Sequence, residues 1–490
     1  NDFPLINPEQ RFCKIMSSQL RHQPSNHYIL SSWGISLLLV ATAAAGASLS
    51  ASLLTLSRFR DRKSKSETRN KNDVAATDAP TPPSEKGTSG YAAAIGNTPL
   101  VELKSLVSSM NLRNPNHRLF VKMECLNPGG TGKDRIAHAM IVAAEKDGAL
   151  PHPSLRRRQS TETDSTIVIR VPRLKSPISL PHPPSGGIVV EGTSGSTGIS
   201  LAALATARGH GCCIVVPDDC SKDKLSVLRG TGAAIAVVPV ASITNPDHYV
   251  NVARDIATRI NEQYGGTREI RAAFMNQFEN FANVSEHERS TGPEIWRQIQ
   301  SATNGDGTGD IDAFIMSAGT GGTLSGVALS FQSLSPSTKI ILADPPGSCL
   351  YSAVTYGVAF APEQRERVLR RHRADTVVEG IGLDRTTQNL RAGLGLMNSS
   401  IRVDDQSAVN VAHRMLVEEG LFVGSSSSVN IAAAMQVLEE MDKEEDRERV
   451  IVTVVCDSGQ RHLARFWNRD FIVGRGLKWP GDVKSATYEK

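Results

Sequence analysis

Residues 187–207 read GIVVEGTSGSTGISLAALATA. A β-branched run, a turn of glycines and small hydroxyl residues, and an alanine-rich apolar stretch follow one another without interruption. Runs of Val and Ile suit a strand buried on both faces, whereas alanine and leucine at helical spacing suit the helix that returns over it. The same grammar recurs outward in both directions. Strand-like runs are expected at 119–123, 187–191, 212–216, 234–239, 313–317, 339–343 and 450–455, with helical stretches at 136–146, 199–208 and 429–441 between them. Strands alternating with helices predict βαβ units and an α/β fold of open, mostly parallel sheets. In such sheets ligands bind beyond the carboxyl ends of the strands, so the loops there are the place to look for chemistry.

The chain has 490 residues, more than a single hydrophobic core usually organises, which points to two or more units. Of 54 basic and 50 acidic side chains, residues 1–90 hold 11 and 7, leaving 43 of each in the rest. That balance gives no reason to propose a nucleic-acid partner. Seven cysteines without a C-x-x-C pair argue against a disulfide scaffold and against a zinc module. Cys212 and Cys213 lie in a β-run and read as core.

The N-terminal region differs from this body. No Asp, Glu, Lys or Arg occurs from His22 to Ser57, and residues 29–56 are apolar or small throughout. About 20 such residues span a bilayer core, so the stretch predicts a transmembrane anchor, with a targeting segment as the alternative. Arg58, Arg60, Arg62, Lys63 and Lys65 follow as a basic stop, which by the positive-inside tendency leaves the remainder of the chain in the cytosol. Residues 57–90 are polar and read as a flexible linker, 1–28 as an N-terminal segment and 476–490 as a tail. Residues 151–185 hold seven prolines, six basic and two acidic side chains and interrupt a short helix-to-strand link. They read as an insertion or as translated non-coding sequence, removable without loss of fold or activity.

Four loops carry the chemistry. The first, NPGGTGKDR at 127–135, places Lys133 at the mouth of a helix. A phosphate-binding P-loop is excluded, because Asn127 stands where a glycine is required and Asp134 where Ser or Thr should follow the lysine. The helix dipole disfavours a charged lysine there, which suits a nucleophile or Schiff-base former. The second is the GTSGSTG turn at 192–198, whose N–H and hydroxyl groups suit a carboxylate or phosphate. The third, GTGGT at 319–323, is a stronger phosphate cradle and lacks dinucleotide spacing. The fourth, CDSGQR at 456–461, again follows an apolar run. Residues 304–312, NGDGTGDID, imitate a calcium loop, but Ile315 occupies the place of the bidentate glutamate, so no metal is expected.

These segments, preceded by IGNTPL at 95–100 and joined by EGIG at 379–382 and GLFVGSSSS at 420–428, stand in the order of one family. From about residue 91 to 467 the chain resembles the pyridoxal-phosphate enzymes of the cysteine synthase and cystathionine β-synthase family, and within it the fungal mitochondrial type. The resemblance implies a fold-type-II enzyme of two open sheet domains with pyridoxal 5′-phosphate in the cleft between them. It implies a catalytic body over 91–475, with a smaller domain at about 124–260 and a larger one at about 91–123 plus 261–475. It implies that Lys133 attaches the cofactor and acts on the substrate α-proton. Gly319, Thr320, Gly321, Gly322 and Thr323 would hold the phosphate, Ser458 the pyridine nitrogen and Ser196 the ring oxygen. Thr193, Ser194, Gly195, Thr197 and Gly380 would bind the substrate.

The implied reaction is β-replacement, O-acetyl-L-serine plus sulfide giving L-cysteine plus acetate. The alternatives are cystathionine β-synthase activity on serine and homocysteine, a serine or threonine dehydratase, and an inactive membrane-tethered scaffold. A homodimer is expected, at the mitochondrial outer membrane with its body in the cytosol, or alternatively in the matrix. Three places depart from the family. Ser196 replaces the usual Asn, Gln460-Arg461-His462 replaces the Glu-Arg-Tyr usual in cysteine synthases, and Asp457 beside Ser458 leaves the partner of the pyridine nitrogen open between the two.

Overall fold

The computed structural model describes residues 90–152, 166–181, 183, 186–265, 270–303, 310–361, 376–444 and 447–483. They contain twelve strands: β1 (Leu100–Glu102), β2 (Arg118–Met123), β3 (Thr166–Ile169), β4 (Ile178–Pro181), β5 (Gly187–Gly192), β6 (Gly211–Pro217), β7 (Ala234–Val238), β8 (Arg271–Phe274), β9 (Ala313–Ser317), β10 (Lys339–Asp344), β11 (Ser399–Arg402) and β12 (Val450–Val455). Six form one sheet in the order β1-β2-β12-β9-β10-β11 and four form another in the order β7-β6-β5-β8. Every neighbour pair in these sheets is parallel except β1 with β2. The open, mostly parallel α/β fold expected from the strand and helix alternation is therefore present.

Both sheets are covered on both faces, which is why their central strands read as unbroken apolar runs. In the four-stranded sheet, Val189, Ile214 and Val216 pack under the helices Lys133–Lys146 and Ser196–Ala207. Ile188, Val190 and Val215 pack on the opposite side against the helix Tyr249–Tyr264. Cys212 and Cys213 fall on opposite faces, both buried, as a core reading requires. In the six-stranded sheet, Phe314, Met316 and Val452 meet the helix Gly322–Leu334. Ile315 and Ile451 meet the helices Asp405–Glu418 and Ser425–Glu444.

Strand β8 joins the four-stranded sheet through β5, so that sheet reaches beyond residue 260, which itself lies inside a helix. A larger change concerns 151–185. Its described part is no structureless loop: β3 and β4 form an antiparallel hairpin with Ile167 opposite Leu180 and Ile169 opposite Ile178. Ile167, Ile169, Ile178 and Leu180 are buried against β5, β6 and the helix Tyr249–Tyr264. Alternating exposure along TIVI and ISLP is the period-2 pattern of a half-buried strand, concealed in the sequence by the prolines around it. Residues 153–165 lie outside the described residues, as do the N-terminal segment, the 29–56 stretch and all of the linker but Gly90. Among the described residues no helix is long and apolar enough to cross a membrane.

Candidate active site

The four loops emerge from the carboxyl ends of β2, β5, β9 and β12, of which β2, β12 and β9 are adjacent in one sheet. Lys133 is the first residue of its helix. Its loop is tied to the β12 loop: Thr131 pairs with Asp457, and Gly132 N–H donates to the Cys456 carbonyl at 3.3 Å. Directly after Lys133, the Asp134 carboxylate accepts the Gly129 N–H at 2.6 Å. Next along the helix, the buried Arg135 guanidinium binds Glu124 and Glu294, each at 2.7 Å. Burial works against these charges, but the Arg135 partner wins and holds Glu124 at about 2. The two residues that follow Lys133 are thus immobilised, and Lys133 itself lines the cleft.

The GTGGT loop opens the helix Gly322–Leu334, whose first-turn N–H groups have no intrahelical acceptor. Gly321 adopts φ of 84°, and a Cβ there would come within 2.6 Å of Leu390. The Thr320 hydroxyl accepts from Asn283 Nδ2 at 3.0 Å, and Thr323 Oγ1 meets His287 Nε2, also at 3.0 Å. Burial pushes His287 down to about 3, so it is neutral. It belongs to a π-helical turn, His287–Thr291, packed behind the cradle.

Across the cleft, the GTSGSTG loop opens the helix Ser196–Ala207. The Thr197 hydroxyl donates to Gln277 Oε1 at 2.6 Å, and Gln277 Nε2 donates to Glu191 at 3.3 Å and to the Gly192 carbonyl at 3.2 Å. Glu191 is fully buried, and burial pushes its carboxyl up to about 8. Protonated at neutral pH, it is a neutral anchor for the amide that orients the loop.

A charged chain closes the cleft. His462 meets Asp457 Oδ2 through Nε2 and Glu379 Oε2 through Nδ1, both at 3.1 Å. Glu379 Oε2 also receives Lys224 Nζ at 3.2 Å, and Arg465 binds its other oxygen at 3.3 Å. Burial opposes a charged imidazole, but the two carboxylates prevail and raise His462 to about 9. Burial likewise opposes the carboxylates; His462 outweighs it at both, with Lys224 adding, and brings Glu379 to about 2. The neighbouring Cys456 thiol is pushed up to about 11, chiefly by burial, and stays protonated.

Ten of the expected residues line this single cleft: Lys133, Thr193, Ser194, Ser196, Thr197, Gly319, Thr320, Gly321, Thr323 and Gly380. Gly195 and Gly322 lie in the same loops but behind the surface; a Cβ on Gly195 would strike Lys224, and one on Gly322 would strike Asn283. Ser458 is not brought to the cleft. Its hydroxyl caps the short helix Gly459–His462 by accepting from Gln460 N–H at 3.3 Å. The neighbours Cys456 and Asp457 line the cleft in its place, together with Lys224, Gln277, Phe278 and His462. Sequence reasoning missed Gln277 and Phe278 because β8, the strand ahead of them, is only four residues, RAAF, with no β-branched run to mark it. Lys224 carried no local signal at all.

A lysine at a helix mouth, facing a glycine-threonine cradle across one cleft, is the arrangement that the comparisons explain. The family described as pyridoxal-phosphate dependent enzyme matches residues 91–457. The chain belongs to this family. It is 40% identical over 380 residues to "Putative mitochondrial cysteine synthase" of Saccharomyces cerevisiae, covering 77% of this chain and 84% of that protein. It is 38% identical over 390 residues to "Cysteine synthase 2" of Schizosaccharomyces pombe, covering 79% and 86%. A crystal structure of O-ureido-L-serine synthase shares the fold, with a TM-score of 0.55 at 24% identity over 77% of this chain and 94% of that one. Pyridoxal phosphate fits the residues present. Lys133 supplies an amine, the cradle supplies N–H and hydroxyl donors for a phosphate, and Asp457 keeps one oxygen, Oδ1, buried without a hydrogen-bond partner. Among the described residues no cluster of His, Cys, Asp and Glu is arranged to hold a metal ion.

Proposed function

We propose that this pyridoxal-phosphate enzyme is a cysteine synthase, converting O-acetyl-L-serine and sulfide to L-cysteine and acetate by β-replacement. The observation that carries the reading is the convergence of Lys133, the 319–323 cradle and the 193–197 loop on one cleft. The names of the fungal relatives support the substrate pair. When bound, the cofactor supplies an electron sink for chemistry at the α-carbon. Gly319, Thr320, Gly321, Gly322 and Thr323 would hold its phosphate, and Ser196 would meet its ring oxygen. The N–H and hydroxyl groups of Thr193, Ser194 and Thr197 bind the substrate carboxylate, with Gly195 and Gly380 giving the backbone room. Lys133 Nζ would hold the cofactor until the substrate amine displaces it; the freed amine would take the α-proton, acetate departing with the electron pair of the Cβ–O bond, and would return a proton to the α-carbon once sulfur has bonded to the β-carbon. Phe278, Ile381 and Leu383 line the cleft and exclude water.

Product analysis tests the assignment. O-acetylserine with sulfide should give cysteine and acetate. Cystathionine from serine and homocysteine in its place would reassign the substrates, and keto acid and ammonia from serine alone would make the chain a dehydratase. We further place the enzyme in mitochondria as a homodimer, tethered by residues 29–56 to the outer membrane with its body facing the cytosol. The name of the Saccharomyces cerevisiae relative supports the organelle, and the uncharged 29–56 stretch with its basic flank supports the tether. Protease added to intact mitochondria should digest the catalytic body; protection with a shortened chain would place it in the matrix.

A further inference from the structure

We propose that Lys224 is a positioning residue for the amino-acid substrate: its stem holds the 193–197 loop, and its amine ties that loop across the cleft to Glu379. The inference rests on the reading above that the 193–197 loop binds the substrate carboxylate. Lys224 belongs to the helix Lys222–Gly230, which follows β6 of the four-stranded sheet. It is 7% exposed, which a lysine tolerates only when its charge is paired. The space it fills is left by a glycine. Gly195 has φ of 147°, and a Cβ built there would come within 2.5 Å of Lys224 Cδ, 3.3 Å of Cγ and 3.4 Å of Cε. The lysine stem therefore lies along the backbone of the loop, while its charged end goes on to a partner.

That partner is Glu379, whose Oε2 stands 3.2 Å from Lys224 Nζ. Glu379 precedes Gly380, whose carbonyl runs against the phosphate cradle, since a Cβ on Gly319 would collide with it. One ion pair thus joins the 193–197 loop to the segment packed on the cradle. The cleft has an outer chamber of about 390 Å³ and an inner one of about 100 Å³ that holds Lys133, and Lys224 and Glu379 line both. Arg465 makes a second tie between the same segments. It meets Glu379 Oε1 at 3.3 Å and donates to the carbonyl of Asp219, in the turn ahead of the lysine helix, at 2.6 Å. The segments therefore stay joined when Lys224 is altered. A loop of glycine and small hydroxyl residues has much backbone freedom, and freedom lost on binding weakens the ligand. A strap that orders the loop beforehand tightens binding without touching the reacting atoms. Its removal should raise KM for the amino acid and leave kcat nearly unchanged.

The test titrates the full chain, loaded with pyridoxal phosphate, with L-alanine, which has the amine and carboxylate of the substrate and no leaving group. The cofactor absorbance reports binding. Lys224→Met keeps most of the stem and removes the charge, and it should weaken alanine binding about 10-fold. Glu379→Gln should do the same, and the double variant should be weaker than either single by no more than about twofold. Lys222→Met, at an exposed position of the same helix, should bind as the wild type does. Pyridoxal phosphate content should be equal in all. Unchanged alanine binding in Lys224→Met, even with a lowered melting temperature, would make the lysine merely structural and overturn the proposal. Effects that multiply in the double variant overturn it too, because the two residues then act separately, as does a loss of cofactor in place of a loss of affinity. Should Lys224→Met fail to fold, unchanged binding in Glu379→Gln overturns it instead. If L-alanine leaves even the wild-type spectrum unaltered, the reading of the 193–197 loop fails and takes the proposal with it. A wild-type response that the variants do not weaken removes the proposal alone.

Discussion

Lys133 is the residue on which the chemistry turns. It combines two tasks, covalent attachment and proton transfer, and none of the polar neighbours in the cleft carries an amine placed to do both. Lys224 is the other lysine there, and it is committed to Glu379 at 3.2 Å. Lys133→Ala should therefore abolish turnover while leaving the fold intact, since the acid–base part alone is typically worth about 10²–10⁴-fold. Steady-state kinetics with circular dichroism checks this, and more than a tenth of wild-type rate would contradict it.

His462 offers a second measurement at the same scale. Its pKa is about 9 in the folded chain against an ordinary 6.5. A group whose pKa rises on folding stabilises the fold fully below its unfolded value and loses that contribution as pH climbs through its folded value. Glu379, held at about 2 against 4.5, behaves oppositely: its contribution is present above 4.5 and is lost as pH falls toward 2. The difference in unfolding midpoint between wild type and His462→Gln should therefore be largest at about 5–6.5 and collapse above about 9. A difference that does not change with pH would show that the ion pairs contribute nothing.

Among the elements, the β3–β4 hairpin is the one whose importance the sequence concealed. Four apolar side chains on its inner face close the side of the four-stranded sheet that the helix Tyr249–Tyr264 leaves uncovered. Leu180 is 1% exposed, and truncating a fully buried leucine costs about 2–5 kcal/mol, so Leu180→Ala should lower the urea midpoint by that amount. Val168, on the outer face at 39% exposure, is the control; Val168→Thr should stay within about 0.5 kcal/mol. Equal effects at the two positions would mean that the hairpin does not pack as described. Deleting Thr166–Pro181 should yield insoluble protein rather than a silent shortening.

Across the whole molecule, one buried ion cluster joins the two sheets behind the cleft. Arg135 belongs to the helix that packs on the four-stranded sheet, whereas Glu124 follows β2 of the six-stranded one. Glu294, on the helix Gly292–Ala302, completes the cluster and also receives Lys122 at 2.8 Å. Removing one member leaves the others charged and buried, which costs about 3–5 kcal/mol, so Arg135→Ala should destabilise by that order in denaturant titration. It should also weaken cofactor retention, because Arg135 is two residues along the helix from Lys133. A variant as stable as the wild type would show that water enters and solvates the carboxylates.

The sequence by itself determined the sheets and most of the cleft. Residues 313–317 and 450–455 match β9 and β12 end to end, and the other five expected strands lie within a residue of β2, β5, β6, β7 and β10. Buried parallel strands need unbroken β-branched runs, and glycines must follow them where a helix N-terminus meets a ligand. Both demands are local, so both are legible in a linear text. Strands β1, β3, β4, β8 and β11 escaped because a short, half-exposed strand is stabilised by what lies across from it, not by its own composition. Tertiary structure alone decided between Asp457 and Ser458. They are adjacent in the chain, and successive side chains at the end of an extended strand point to opposite sides. Which one faces the cleft depends on how β12 seats between β2 and β9 and on the arrival of His462 to hold the carboxylate. The same holds for the pairing of Lys224 with Glu379, 155 positions apart, which no spacing rule foretells. Such contacts arise from long-range packing, and only the folded chain brings their members within reach.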